Sequence, residues 1–191
     1  MLERARGLGF LGPGPVVQHL EHADGFARAV ASPIDALDLG SGGGLPGLVL
    51  AVRWEDSRWV FLDANTRRTA FLESAVGELD LADRVTVVTD RAERAARLPA
   101  LRGAFDLVVS RSFGSPAVTA ECACGFLRVA GRLVVSEPPG ETEDRWPAGP
   151  LGELGLADRG RAGPVRVLEQ TALASDRFPR RVGVPAKRPL W

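Results

Sequence analysis

The chain has 191 residues, and its 24 basic side chains balance its 24 acidic ones, so the formal net charge is +0 at pH 7. This balance excludes a generally basic nucleic-acid binder, although it leaves room for a local basic patch. Hydrophobic residues make up 45% and charged residues 25% of the chain, which is typical of one globular domain, and no apolar run approaches the roughly 20 residues of a membrane-spanning helix.

The predicted elements begin with a helix and continue as alternating strands and helices. Residues 1–14 are rich in glycine and are predicted to form a loop or a frayed arm, and apolar residues at helical spacing predict a helix over residues 16–30. Short apolar runs predict strands over residues 34–39, 59–62, 85–88, 105–109 and 132–135. Helical patterns lie between them over residues 45–53, 66–79, 91–98 and 115–127, with Thr66 as a predicted cap.

This alternation predicts the fold class. Parallel strands joined by amphipathic helices form a doubly wound sheet with helices on both faces. Residues 138–163 predict a long loop with a short helix, and residues 165–173 and 181–184 predict two edge strands. We therefore predict an α/β, Rossmann-like domain over residues 34–191, mainly parallel with an antiparallel C-terminal edge, preceded by an arm and a helix over residues 1–33.

A glycine-rich turn follows the first predicted strand, with the sequence DLGSGGGLPG beginning at Asp38. Glycine permits positive φ and lets a ligand approach the backbone closely. A dinucleotide fingerprint would need a third glycine at the position of Leu45. The spacing of Gly40, Gly42 and Gly44 instead matches the S-adenosylmethionine turn of the class I methyltransferase fold, in which the preceding acid can attract the ligand's ammonium group.

Three residues beyond this turn are predicted to complete a nucleoside site. Asp63, at the end of the second strand, is expected to hold the ribose hydroxyls, and Ala92 and Glu93 are expected to border the adenine. A helix-capping role for Asp63 or Asn65 and a helix-start role for Glu93 stay open. The predicted cofactor is S-adenosyl-L-methionine, and its predicted binding residues are Asp38, Gly40, Ser41, Gly42, Gly44, Leu45, Asp63, Ala92 and Glu93.

Two cysteines, Cys122 and Cys124, are separated by a single residue, and no second pair of metal ligands follows them. Zinc sites prefer a wider spacing and four ligands, so we predict no metal. The low cysteine content suits a reducing compartment, and we expect a cytoplasmic protein, without a membrane partner, that is monomeric.

Several motifs resemble those of the ribosomal small-subunit RNA methyltransferase G family, also called glucose-inhibited division protein B. The resemblance lies in DLGSGGGLPGLVLA, FLDANTRRTAFL, DRAER and FDLVVSRSF. The C-terminal FPRRVGVPAKRPL is similar to the family's P-R-x-x-G-x-P-x-K-x-P-L, and QHLEH around His19 is similar to its R-H-x-x-D-S. The resemblance extends from about His19 to the end of the chain, with a gap in the loop rich in proline and glycine.

The resemblance implies a methyl transfer from S-adenosylmethionine to the N7 atom of a guanine in 16S ribosomal RNA, with the RNA or the small ribosomal subunit as partner. It places Arg111 at the arginine of the family's S-R-x-F, which faces the catalytic cleft. It also places Arg180, Arg181 and Lys187 in a basic tail that is expected to meet RNA phosphate. Guanine N7 has an exposed lone pair and no proton, so the reaction needs no general base.

Two features of the sequence keep other functions open. About 33 residues precede the first predicted strand, fewer than in the family, and Glu137 stands where the family has a lysine. An acidic side chain at the mouth of an RNA site is expected to weaken contact with phosphate. The alternatives are a methyltransferase of the same fold that acts on a small molecule or protein, and a catalytically silent binding module. The glycines of the turn, each unfavourable for a folded chain, argue against the silent module.

Overall fold

The computed structural model describes residues 1–140 and 145–191. Its strands are β1 Asp35–Leu39, β2 Arg58–Asp63, β3 Val85–Thr89, β4 Phe105–Ser110, β5 Leu127–Ser136, β6 Leu156–Ala162 and β7 Val165–Gln170. Its helices are α1 Leu2–Gly7, α2 Val16–Ala29, α3 Gly47–Arg53, α4 Thr66–Glu78, α5 Ala92–Ala95, α6 Pro116–Cys124, α7 Ala148–Glu153 and α8 Val184–Lys187. Within these described ranges, no helix is both long and apolar enough to cross a membrane.

The strands form a single sheet in the order β3-β2-β1-β4-β5-β7-β6. The first five strands pair in parallel, and β7 lies antiparallel between β5 and β6. Leu39 at the end of β1 pairs with Leu62 of β2 and with Ser110 of β4, so the carboxyl ends of the three central strands lie side by side. The predicted fold class is confirmed, and the strand order reverses at β1 and β4, where ligands bind in such sheets.

Alternating side chains of the central strands fill a core on each face of the sheet. Leu37 and Leu39 pack on one face, whereas Ala36 of the same strand packs on the other together with Trp59 and Phe61. All five side chains are buried because helices cover both faces. Burial on both faces explains why these strands appear in the sequence as short, nearly continuous apolar runs.

The prediction of a loop or frayed arm over residues 1–14 is wrong for the first half of that segment. Residues 2–7 form α1, which packs against α4: the Arg4 guanidinium donates to Glu78 Oε1 at 2.6 Å, and Ala5 is buried. Phe10 then meets Phe71 edge to face, with 5.7 Å between the ring centroids. Contacts with α4, distant in sequence, order a segment whose composition alone favours a loop. The division of the chain at residue 34 remains a prediction.

Two further local predictions are wrong. Asn65, rather than Thr66, caps α4, since Asn65 Oδ1 accepts from the backbone N–H groups of Arg67 and Arg68. Residues 181–184 do not form an edge strand, because Gly183 has φ 78° and α8 follows it. The outer strand is instead β6, which lies in the region predicted as a loop and is held by antiparallel pairing with β7.

Candidate active site

The glycine-rich turn is fixed to the end of β2 by hydrogen bonds. Gly40, Gly42 and Gly44 have φ values of 74°, 54° and 89°, which favour glycine at each position. The N–H groups of Gly40 and Ser41 donate to the Leu62 carbonyl at 2.8 and 3.0 Å. The Gly42 N–H donates to Asp63 Oδ2 at 2.9 Å. The turn and the carboxylate that were predicted to share a ligand therefore lie in direct contact.

Asp38 lies beneath the turn and does not line a cavity. It is 0% exposed, and its Oδ2 accepts from the Gly47 N–H at 2.9 Å, while Oδ1 has no hydrogen-bond partner among the described residues. Burial raises the pKa of Asp38 to about 7, the Gly47 N–H opposes this rise, and nearby Asp63 adds to it. In this geometry Asp38 holds the start of α3 against the turn, and its predicted contact with a ligand's ammonium group stays a prediction.

A cavity with a volume of about 460 Å³ opens at the carboxyl ends of β1 and β2, next to the loop that follows β4. It brings together four of the residues that were predicted to bind the cofactor: Gly40, Asp63, Ala92 and Glu93. Cys122 also lines its wall, which the sequence did not suggest. Burial raises the pKa of the Cys122 thiol far above its usual range, so this side chain offers the cavity an uncharged wall.

Glu93 is held by the C-terminal segment, so it is not an unpaired carboxylate facing the cavity. Its Oε1 accepts from the Gly183 N–H at 2.8 Å and from the Arg91 guanidinium at 3.3 Å. Burial opposes ionisation of Glu93, but the Gly183 N–H and Arg91 outweigh it and lower the pKa. Ala186 from the same segment lines the cavity. The C-terminal segment therefore closes the end of the cavity at which the adenine was predicted.

The predicted basic tail contains side chains in two different environments. The Arg180 guanidinium pairs with Glu121, which is 0% exposed, and Nε donates to Oε1 at 2.8 Å. Arg181 and Lys187 are exposed. Arg180 thus anchors the tail to α6, whereas Arg181 and Lys187 are accessible to a partner. All three RNA contacts stay predictions.

A second, smaller cavity of about 140 Å³ lies on the other side of the turn. Ser41, Gly42 and Leu45 form one wall, as predicted, and Phe10, Leu11 and Gly12 of the N-terminal arm form the opposite wall. The arm lies so close that a Cβ added to Gly43 would be 2.7 Å from the Leu11 side chain and 2.9 Å from the Phe10 carbonyl oxygen. No pattern in the sequence indicated that this arm covers the turn.

Arg111 lies between the small cavity and a third cavity of about 350 Å³. Its Nη2 atom is 2.8 Å from His19 Nδ1, and His19 Nε2 is 3.2 Å from the Gly12 carbonyl oxygen. His22 lines the third cavity, and its pKa is lowered first by burial and then by electrostatic interaction with Arg111 and His19. Two side chains of α2 therefore face the arginine that the sequence singled out.

All three cavities meet at Ser112, which follows Arg111 in the loop after β4. Ser112 has φ 56°, a conformation that is uncommon outside glycine and that clusters at functional sites. Its neighbour Phe113 packs on Gly40, where an added Cβ would lie 2.6 Å from the phenyl ring. The S-R-S-F motif thus sits at the junction of the cavities, although the sequence singled out only its arginine.

Glu137 lines the third cavity, but its charge is balanced within the protein. Oε2 accepts from Arg145 Nη1 at 2.8 Å, and Oε1 accepts from the buried Trp146 Nε1 at 2.7 Å. The expectation that an acidic side chain here weakens contact with phosphate treated this carboxylate as an unpaired charge. A carboxylate paired with arginine presents a much weaker negative field, so the departure from the family's lysine does not by itself disfavour RNA.

Comparisons with known proteins agree with this architecture. Residues 17–138 match the family model of rRNA small subunit methyltransferase G. The ribosomal RNA small subunit methyltransferase G of Parasynechococcus marenigrum is 35% identical over 167 residues, which cover 81% of this chain and 67% of the relative. The protein of the same name from Carboxydothermus hydrogenoformans is 32% identical over 168 residues, which cover 82% of this chain and 71% of that relative.

Solved structures show the same fold at low sequence identity. A SAM dependent methyltransferase from Aquifex aeolicus aligns with a TM-score of 0.61 and 14% identity over 88% of this chain and 96% of that one. An O-methyltransferase family protein from Burkholderia thailandensis aligns with a TM-score of 0.58 and 18% identity over 84% of this chain and 56% of that one. The structures show the fold, whereas the family model and the curated relatives show that the chain belongs to the rRNA small subunit methyltransferase G family.

Proposed function

We propose that this protein transfers a methyl group from S-adenosylmethionine to the N7 atom of a guanine in 16S ribosomal RNA. The observation that carries the proposal is the junction at Ser112, where a cavity of about 460 Å³, a small cavity at the glycine turn and a third cavity beside Arg111 meet. A donor with a nucleoside end and an amino-acid end suits the first two, and an acceptor base suits the third.

The residues of the first two cavities fit such a donor. Asp63 has one oxygen engaged by the Gly42 N–H and the other by the Asn65 N–H, and each oxygen retains a lone pair for a ribose hydroxyl. Ala92 and Cys122 give the adenine end an apolar wall. Gly40 has no side chain, so a ligand can approach its backbone closely. When bound, S-adenosylmethionine supplies a methyl group on a positively charged sulfur, which makes the methyl group ready for displacement.

The third cavity supplies groups suited to the acceptor. The Arg111 guanidinium presents N–H donors in a planar fork, which suits the O6 edge of a guanine or a phosphate. His19 fixes the position of Arg111 from one side, so the fork is held in place before an acceptor arrives. Because guanine N7 carries no proton, the protein has to align the acceptor and exclude water, and needs no side chain as a base.

The surroundings of the site support an RNA acceptor. Arg181 and Lys187 are exposed on the segment that closes the first cavity, and cationic side chains of this kind bind RNA phosphate. The pairing of Glu137 with Arg145 removes the main objection to such a partner. We further propose that the protein acts as a monomer in the cytoplasm, where ribosomal RNA is its partner.

Calorimetric titration with S-adenosylmethionine tests the donor. The full-length protein should show saturable binding at one site, and Gly42→Asp should abolish it. Gly42 has a φ of 54° and lines the small cavity, so an aspartate there would strain the turn and add a charged side chain to the proposed binding site. Gly77→Ala, in open space on α4, serves as the control and should bind as the wild type does. Absence of binding to the wild type would contradict the proposal.

Tritium transfer tests the acceptor. Methyl-labelled donor should label ribosomal RNA when the protein is incubated with small ribosomal subunits. Label recovered instead in a pool of metabolites or proteins would favour the alternative acceptors.

A further inference from the structure

The two cavities that flank the glycine turn share three of their lining residues: Gly40, Arg68 and Ser112. The larger cavity is wide enough for a nucleoside, whereas the smaller one, about 140 Å³, suits the amino-acid end of the donor. This inference rests on the proposed function, since it concerns how the same donor is held. The α-carboxylate of that amino acid needs a cationic or hydrogen-bonding partner on leaving water.

The charged residues around the smaller cavity narrow the choice of that partner. Arg68 and Arg111 are its charged lining residues, and no acidic residue lines it within the described part of the chain. One donor of Arg111 is already used, because its Nη2 lies 2.8 Å from His19 Nδ1. It also borders the third cavity, where the acceptor is expected.

Arg68 is differently placed. Its side chain is 41% exposed, and its closest charged neighbour is Asp63, with 3.7 Å between Nη1 and Oδ2. That distance is longer than a hydrogen bond, and the same Oδ2 already accepts from the Gly42 N–H. Within the described ranges, the Arg68 side chain donates no hydrogen bond of its own. A guanidinium with unused donors therefore stands at the junction of the two cavities.

We infer that Arg68 binds the α-carboxylate of the donor's amino-acid end. The planar guanidinium can give two parallel hydrogen bonds to a carboxylate, and such charge-assisted pairs are stronger than neutral ones. Asp63 beside it holds the ribose in the proposed complex. The ion pair, with 3.7 Å between Arg68 Nη1 and Asp63 Oδ2, therefore keeps the Arg68 guanidinium next to the donor site before the ligand enters. Arg68 is thus a binding residue that distinguishes adenosine derivatives with an amino acid from those without one.

Two adenosine thioethers test this role by calorimetry. S-Adenosylhomocysteine carries the amino acid, whereas 5′-methylthioadenosine has the same nucleoside and sulfur but lacks it. For Arg68→Gln, we expect the affinity for S-adenosylhomocysteine to fall about 10- to 100-fold. The affinity for 5′-methylthioadenosine should stay at the wild-type value. Arg68→Lys, which keeps a charge but loses the planar fork, should regain part of the lost affinity.

Arg67→Gln is the matched control. Arg67 is exposed, next in sequence, and lines neither cavity, so this variant should bind both ligands as the wild type does. Unchanged affinity of Arg68→Gln for S-adenosylhomocysteine would overturn the inference, and so would an equal loss for both ligands, since it would show a general effect on the cavity. If the wild type binds neither ligand, the proposed function itself fails, a result distinct from binding that is insensitive to Arg68.

Discussion

Arg180 and Arg181 are neighbours in the basic tail, yet the structure gives them different roles. The Arg180 backbone N–H and its Nε both donate to Glu121 Oε1 at 2.8 Å, and Glu121 is 0% exposed. Hydrogen bonding to Glu121 raises the pKa of Arg180, which keeps the guanidinium charged. Arg181 is exposed and forms no ion pair among the described residues. Replacing each by alanine should therefore damage different properties of the protein.

Arg180→Ala leaves a buried carboxylate without its cation. Breaking such a pair from one side costs about 3–5 kcal/mol. Since the Arg180 side chain is 27% exposed, water can reach part of the pair, and we take the lower end of that range, about 3 kcal/mol. For a chain of this size each kcal/mol shifts the melting temperature by about 2–4 °C, so Arg180→Ala should melt about 6–12 °C below the wild type.

Arg181→Ala should leave the melting temperature nearly unchanged but weaken RNA binding. Removing one phosphate contact lowers the slope of log affinity against log salt concentration by about 1. Circular dichroism melting curves and fluorescence anisotropy with a 16S RNA fragment at several salt concentrations measure the two properties. Below its melting temperature, Arg180→Ala should keep the wild-type slope. A wild-type melting temperature for Arg180→Ala, together with a reduced slope, would refute this division of roles.

Two further predictions concern the base of the glycine turn. Burial raises the pKa of Asp38 to about 7, whereas the unfolded chain has a value near 3.8, so the folded state binds more protons between these values. The contribution of Asp38 to the free energy of unfolding should therefore fall as the pH rises from about 4 to about 7. Asp38→Asn should lack this fall in urea denaturation; parallel pH profiles would contradict it. In Gly47→Ala the new Cβ would lie 2.8 Å from the Phe61 ring and against the Asp38 carboxylate, so we expect a loss of about 1–3 kcal/mol. The control Gly77→Ala, in open space on α4, should gain about 0.5–1 kcal/mol, and equal effects of the two substitutions on urea denaturation would contradict the packing at Gly47.

The sequence predicted the central sheet because its strands are buried on both faces, which produces short apolar runs that need no tertiary information. The sequence did not predict α1 or the edge strand β6, and the physical reason is the same for both. The segment containing α1 and Phe10 is ordered by contact with Phe71 and Glu78, and β6 is ordered by pairing with β7. Both depend on partners far away in sequence, which local patterns of apolar residues and glycine do not reveal.

The candidate site also contains features that the sequence predicts and features that it does not. The turn from Gly40 to Gly44 and Asp63 were identifiable because backbone freedom and spacing are local properties of the sequence. The environment of each charged group was not. Glu93 is engaged by Gly183, and Glu137 is paired with Arg145, so two carboxylates that looked available are already satisfied. Arg68, which no pattern in the sequence singled out as a binding residue, lies where two cavities meet.

Mass spectrometry of nucleosides from ribosomal RNA tests the proposed function most directly. Small ribosomal subunits from cells that lack this gene should be incubated with the purified protein and S-adenosylmethionine, then digested and compared with untreated subunits. The proposed function predicts one additional 7-methylguanosine in 16S ribosomal RNA, which Gly42→Asp does not produce. Ribosomal RNA whose methylated nucleosides are identical with and without the active protein would contradict it.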